Sequence, residues 1–399
     1  MLNDGFTRVI FFVPQYPYPV VGGLEKQAHE LAKALLSNGV EIQVLSGQIA
    51  NSGLGEEIVE GLLVTRIHWS KFRWVRYLRT PLDITRFLWT RRREFEVLHL
   101  HQFSPVSLYA ILLAKILGKP VMTKLPNVAD HGLPGLIARR LGWLRLPILL
   151  LSDAIVAMSD QSFQELRAVN FRASRILRVA NGINLSRIPV RVWCDQSPRA
   201  ICRIVFVGRL SEEKQIETLL KACRILLQSS DRPFTLDIWG DGPLASLHTV
   251  QAGRMGLADV VHFEGLVMDV TARLHMMDIF VLPSSREGNS NAILEAMAAG
   301  LPIVATTVGG TSMQVGDEGA PFLCPPGNPQ ALAVALQRLI EDPVMRHATG
   351  AAMRQRAEKY FDISAIADIY AHAYRCLARG RADDICNIGH PLLTTMSKA

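Results

Sequence analysis

The feature that most constrains this chain is an alternation run through twice. Short apolar segments, each too short for a buried helix, take turns with segments of helical period. Residues 8–13 read as a strand. Residues 25–38 read as a helix, because Leu31, Ala34 and Leu35 share a face and Gly39 ends the pattern. Residues 40–45 and 97–101 are further strands, 105–117 a helix, and 120–125 and 154–158 two more strands. Apolar strands separated by helices build a parallel sheet through right-handed crossovers. Residues 183–203 break the rhythm with Pro189, Pro198 and few periodic apolar positions, which marks a linker. The alternation then restarts, with strands at 204–208, 234–239, 260–263, 279–283 and 302–305 and helices at 217–227, 244–255 and 291–299. A long helical pattern over 343–377 breaks near Phe361 and Asp362, and the tail beyond Gly380 has no period and is expected to fray.

The expected fold class is therefore α/β, in two doubly wound units. The boundaries fall at 1–185 for the first unit, 186–363 for the second, 364–380 for a terminal helix and 381–399 for the tail. A length of 399 residues, 49% of them apolar, supplies a core for both units. Doubly wound units take ligands at the carboxyl ends of their strands, and two such units facing each other place a ligand in the cleft between them.

Composition narrows the function classes. No run reaches the roughly 18 apolar residues of a membrane span; the most apolar stretch, 144–158, is broken by Arg145, Pro147, Ser152 and Asp153. The apolar run 9–13 stops at Pro14, too early for an export signal. Six cysteines form no Cys-x-x-Cys pair, so neither a zinc site nor a redox motif is expected. A reduced, cytoplasmic enzyme fits these features. The net charge of +7 admits a polyanionic partner (nucleic acid, anionic lipid or a phosphorylated ligand) without choosing among them.

The most informative stretch is 278–311, DIFVLPSSREGNSNAILEAMAAGLPIVATTVGGT. A buried strand leads into a polar loop, 284–290, which feeds a helix starting near Asn291. Backbone N–H groups at such a start suit a phosphate or diphosphate. Gly288 allows close backbone approach, and Glu287 and Glu295 bracket the segment with seven residues between them. Two carboxylates so placed can accept hydrogen bonds from sugar hydroxyls along one extended ligand. Gly309-Gly310 forms a second close-approach loop. The plainer reading is a surface loop with a helix cap and two solvated glutamates. Three neighbouring features weigh against it. The first strand of the same unit ends in Gly208-Arg209-Leu210, with Lys214 shortly after, and Gly240-Asp241-Gly242-Pro243 ends another strand. Arg can fork onto phosphate oxygens and Lys adds a point charge.

Taken together, FVGRLSEEK (206–214), WGDGP (239–243) and EGNSNAILEAMAAGLPIVAT (287–306) resemble a retaining glycosyltransferase of family 4. Gly22-Gly23 with Glu25 opening a helix, and Asn181-Gly182-Ile183-Asn184 before the linker, also match, so the resemblance covers roughly 8–378. It implies the GT-B fold, two Rossmann-like domains facing across a cleft, with a nucleotide-sugar donor (UDP- or GDP-linked) in the C-terminal one. It implies catalytic roles for three residues. Arg209 and Lys214 would hold the diphosphate and stabilise leaving-group charge, and Glu287 would contact the transferred sugar. Glu295 would take the ribose hydroxyls. Gly208 and the amides of Gly288, Asn289, Ser290 and Asn291 would meet the donor, and Gly22 and Gly23 would approach its phosphates. The terminal helix would cross back onto the first domain. No Asp-x-Asp occurs, so no metal and no cofactor are expected, the nucleotide sugar being a substrate.

Two departures bear on the acceptor. Many family members place a His after the strand at 120–125. Here that position is Pro126, and Lys124, Asn127 and, from the preceding strand, His101 are the acceptor-side candidates. The family also often carries Glu two residues after a Gly-Gly-Thr-like turn, where this chain has Ser312-Met313. Charge concentrates in residues 66–93. Arg66, Lys71, Arg73, Arg76, Arg79, Arg86, Arg91, Arg92 and Arg93 are there with one acid, Asp83, and with Trp69, Phe72, Trp74, Tyr77, Phe87 and Trp89 interleaved. Arg139, Arg140 and Arg145 flank Trp143 and Leu144. Such a mixture suits an anionic membrane or lipid-linked acceptor, a solvated helix with its aromatics in its own core, or single-stranded nucleic acid. The first is preferred and no nucleic acid is expected.

The expectation is a cytoplasmic glycosyltransferase, peripheral at the inner face of the cell membrane. It would move a hexose-type residue to a hydroxyl acceptor in envelope, exopolysaccharide or lipid-linked glycan synthesis. A nucleotide-sugar epimerase of the same architecture and a catalytically silent glycan- or membrane-binding partner are the alternatives.

Overall fold

The computed structural model describes residues 6–16, 22–48, 53–69, 73–125, 133–138, 142–192 and 201–394, with the backbone only at 73–77 and 394. The chain divides into two compact units, Met1–Gly182 joined by Ile363–Ala399, and Ile183–Asp362.

The first unit contains strands β1 (Thr7–Gln15), β2 (Val40–Gly47), β3 (Gly55–Val59), β4 (Leu62–Ile67), β5 (Val97–Leu100), β6 (Val121–Lys124), β7 (Ala154–Ala157) and β8 (Ile176–Arg178). Its helices are α1 (Gly23–Leu36), α2 (Arg73–Thr90), α3 (Pro105–Ile116), α4 (Leu133–Ala138), α5 (Gly142–Leu149) and α6 (Asp160–Ala168). The sheet order is β3-β4-β2-β1-β5-β6-β7-β8. Side chains alternate across the pleat. On one face Val9, Phe11 and Val13 of β1 meet α1. On the other, Ile10 and Phe12 meet α2 and α3. Every pairing is parallel except β3 with β4. That hairpin departs from the all-parallel expectation. Its two-residue turn is Glu60-Gly61, both at positive φ (47° and 86°), the conformation that matches hairpin twist.

The second unit is wholly parallel. Its strands are β9 (Cys202–Val207), β10 (Phe234–Trp239), β11 (Val261–Gly265), β12 (Ile279–Leu282), β13 (Ile303–Thr306) and β14 (Leu323–Cys324), in the order β11-β10-β9-β12-β13-β14. Its helices are α7 (Ile216–Ser229), α8 (Ala245–Arg254), α9 (Val270–Leu274), α10 (Asn291–Ala298), α11 (Thr311–Gly319), α12 (Pro329–Glu341) and α13 (Pro343–Tyr360). Strand order reverses between β9 and β12, and between β1 and β5 in the first unit. A doubly wound sheet opens its crevice at such a switch point.

The chain then returns to the first unit as α14 (Ile363–Ala378), which packs on α1 and contributes Ile366, Tyr370 and Tyr374 to the core. The tail was expected to fray beyond Gly380. Its described part does not: a 3-10 turn (Ala382–Asn387) and α15 (Pro391–Thr394) follow, and Ile385 and Leu393 are fully buried. Asp383 accepts hydrogen bonds from Ser174 and Arg175, which hold its carboxyl below the usual range and anchor the segment. The anchor comes from distant sequence, so local periodicity carried no sign of it.

Candidate functional site

Three strand-end loops of the second unit converge at its switch point. After β9 the chain turns through Gly208 and Arg209 into a 3-10 turn, Glu212–Lys214. The turn after β10 is pinned to this loop: Gly208 N–H donates to Trp239 O at 3.0 Å and Leu210 N–H to Asp241 O at 2.9 Å. Glycine is required at Gly240, where φ is +146° and a Cβ would lie 1.9 Å from Gly208 O. After β12 the loop reaches across to β9's loop, with Ser285 N–H donating to Glu213 O at 2.8 Å.

These tethers bring Lys214 and Glu287 together. Lys214 Nζ lies 2.5 Å from Glu287 Oε1, and the two side chains are only 18% and 11% exposed. Ser284 Oγ donates to the same oxygen at 2.7 Å, and Ser284 O accepts from Thr306 Oγ1 at 2.5 Å. The glutamate is thus oriented by β12's own loop and by the end of β13. Arg209 is exposed beside this pair in sequence. Glu295 lies one turn inside α10 and is buried.

The start of α10 is organised differently from the expectation. Ser290 caps it, its Oγ accepting from Ile293 N–H. The amide of Ser290 is committed: it donates to Gln314 Oε1 at 3.0 Å, while Gln314 Nε2 donates to Ser290 O at 2.9 Å. Ser290 is therefore removed from the amides expected to meet a ligand. The Gly309-Gly310 loop approaches the protein's own backbone. Gly310 N–H donates to Gly288 O at 2.9 Å, and a Cβ at Gly309, whose φ is +51°, would fall 1.6 Å from Glu287 O. Gln314, fully buried, went unnoticed in the sequence. Its signal was an amide side chain between Met313 and Val315, in the helix after Gly-Gly.

In the first unit Gly22 caps α1 and Gly23 opens it, with Glu25 in the first turn, its pKa raised by burial. Tyr16, at the end of β1, is locked in place. Its N–H donates to Ser46 Oγ, its O accepts from Arg66 and its hydroxyl meets His29 Nδ1, each at 2.7 Å. Arg66 is buried and also bonds Glu57 at 2.6 Å. It therefore belongs to this scaffold and not to an exposed basic surface.

His101 and Lys124, expected to be open to an acceptor, are enclosed at 1% and 6% exposure. Lys124 Nζ donates to Asn181 Oδ1 at 2.8 Å, and burial lowers its pKa to about 8. His101 packs at a tilt against the rings of Phe11 and His99, and His99 Nδ1 bonds the Tyr374 hydroxyl at 2.6 Å. Burial pushes both imidazoles well below their ordinary pKa, so both are neutral. The returning α14 covers His99 of β5 through Tyr370 and Tyr374. Pro126 and Asn127 lie outside the described residues. Among the described residues no three His, Cys, Asp or Glu side chains converge as metal ligands.

Comparison with known proteins matches residues 21–187 to Glycosyltransferase Family 4 and residues 202–342 to Glycosyl transferases group 1. A glycogen synthase of Mycobacterium tuberculosis is 26% identical, over 94% of this chain and 95% of that protein. Among solved structures, sucrose-phosphate synthase from Thermosynechococcus elongatus superposes with a TM-score of 0.77 at 20% identity, over 94% of this chain and 100% of that one. Anabaena HepE in complex with UDP and glucose gives 0.74 at 18% identity, over 92% and 99%.

Proposed function

The chain belongs to the group 1, family 4 glycosyltransferases, and from that premise we propose that it transfers a hexose-type residue from a nucleotide sugar to a hydroxyl acceptor with retention at the anomeric carbon. The observation that carries the reading is the Lys214–Glu287 pair at the β9/β12 switch point. A cation and a carboxylate held 2.5 Å apart can grip the two ends of one bond: the phosphate that leaves and the sugar that stays. A UDP- or GDP-linked donor fits, and the UDP and glucose bound by HepE support this choice.

Arg209 and Lys214 neutralise the departing diphosphate, in the role a metal would fill elsewhere. The bonds from Lys214 and Ser284 both fall on Glu287 Oε1, which leaves Oε2 to accept from a sugar hydroxyl. Glu295 accepts from the ribose. In the reaction the anomeric carbon–phosphate oxygen bond breaks and a bond to the acceptor oxygen forms on the same face. The acceptor proton passes to the departing phosphate. The envelope, exopolysaccharide or lipid-linked glycan acceptor of this reading implies a site of action at the inner membrane face.

The test is turnover of UDP- and GDP-sugars with a hydroxyl acceptor, product stereochemistry being read by NMR. Glu287→Gln and Lys214→Met should each lower turnover by about 100-fold or more. Full turnover by either variant would sink the assignment, and isomerised donor without transfer would point to an epimerase.

A further inference from the structure

The two basic and aromatic groups of the sequence, 66–93 and 139–145, are far apart along the chain. The fold puts their described parts on one helical layer. In that layer α2 packs on α3 and α3 on α5, and all three cover the Ile10–Phe12 face of the first sheet. The layer's inner side is the core: Ile84, Phe87 and Leu88 of α2, Ile111 and Ala114 of α3, and Ile148 of α5. Its outer side is also apolar. Leu78, Leu82 and Trp89 of α2 fall within about 40° on a 3.6-residue helix, opposite the core stripe, and are 68%, 68% and 53% exposed. On α3 Ile116 is 78% exposed, and on α5 Trp143 is 75% exposed. A folded chain rarely leaves large apolar side chains aligned on successive helices without something to cover them.

The charge around them names the cover. Arg79 and Arg86 run in a second stripe of α2 beside the apolar one, and Arg93 follows its end; all three are exposed. Arg92 lies over the Trp89 ring, 4.9 Å from its centroid. The acids of this side are already engaged: Asp83 by His68 at 2.8 Å, Glu94 by Arg91 at 3.0 Å, and Asp153 by Lys115 at 2.9 Å. The uncompensated sign is therefore positive. Helices with Trp and Leu on one stripe and Arg beside it lie in the headgroup plane of anionic bilayers. No helix among the described residues is long and apolar enough to cross one.

We infer that the outer face of α2, α3 and α5 is a docking surface for an anionic lipid bilayer, with Leu78, Leu82, Trp89, Ile116 and Trp143 entering the headgroup layer. The inference stands on the first unit alone. It joins the functional reading only at the lipid-linked acceptor.

The test is flotation of the full chain with phosphatidylcholine vesicles with and without phosphatidylglycerol. Binding is expected only with phosphatidylglycerol and should weaken as salt rises. Each of Arg79→Gln, Arg86→Gln and Arg93→Gln should weaken it about five-fold, the equivalent of roughly 1 kcal/mol per base at an anionic surface. Leu82→Ser with Trp143→Ser should abolish it at high salt. These positions are exposed, and an unchanged melting midpoint confirms that the variants fold. Binding absent from both vesicles, or indifferent to phosphatidylglycerol and to the substitutions, overturns the inference. So does concentration-dependent self-association, or tighter binding to a single-stranded oligonucleotide, if the same substitutions remove it. A nucleotide-sugar melting shift on the same preparation reports the second unit. Its absence with vesicle binding intact would defeat the donor reading and leave this one standing.

Discussion

Lys124 should make this protein more stable as the solution becomes more alkaline. Its ammonium is buried at the end of β6, where it donates to Asn181 Oδ1 at 2.8 Å, and burial lowers its pKa from 10.5 to about 8. The unfolded chain keeps the ordinary value. Below pH 8 both states carry the proton, and the folded state bears the full cost of burying a cation. Between about 8 and 10.5 the unfolded state holds the proton and the folded state has released it, so stability rises with pH. A displacement of this size corresponds to about 3 kcal/mol. Lys124→Met keeps the buried stem and removes the charge. At pH 7 the variant should be the more stable chain by that amount, less about 1 kcal/mol for the lost hydrogen bond. The difference should shrink by about 3 kcal/mol between pH 8 and 10.5. Urea unfolding of both chains, followed by circular dichroism across this range, measures it. The difference between the chains cancels the other groups that titrate there. A difference that stays flat with pH, or a variant less stable at pH 7 than at pH 10.5 relative to wild type, would refute the reasoning.

Two further predictions concern the second unit. Gln314→Leu leaves the Ser290 amide buried without its acceptor, so the chain should lose about 1–3 kcal/mol in urea unfolding. Because the Glu287 loop leads into Ser290, the donor KM should rise more than kcat falls. A Gln314→Glu chain, which keeps the acceptor oxygen, should recover part of the KM effect. Gly309→Ala forces a left-handed φ on alanine and drives a Cβ into Glu287 O. It should cost more than the roughly 1–2 kcal/mol of the φ alone, and turnover should fall with it, because the displaced backbone carries the Glu287 carboxylate. An alanine chain with wild-type melting and turnover would show that this contact does not position the glutamate.

The residues at which sequence reading succeeded share a physical cause. Strand and helix periods are local, so β9, β10, β12 and α10 could be placed from 204–208, 234–239, 279–283 and 291–299 within a few residues. The hairpin β3–β4 escaped because its Glu60-Gly61 turn is short and β3 is exposed and polar. Arg66 stands among surface arginines in the sequence, where its charge is visible and its burial is not. The commitment of the Ser290 amide depends on Gln314, 24 residues away. That bond exists only once β13 has carried the chain back beside α10.

The sequence by itself determined two α/β units of largely parallel sheet and the residue types at their strand ends, because hydrophobic periodicity and glycine placement are properties of adjacent residues. Only the tertiary structure decided which of those residues meet. It joined Lys214 to Glu287 across the β9/β12 switch point. It buried His101 and Lys124 at the ends of β5 and β6, and placed the described parts of two separated basic and aromatic stretches on one helical layer. Each outcome depends on the order of strands in a sheet, which long-range burial selects and no local pattern encodes.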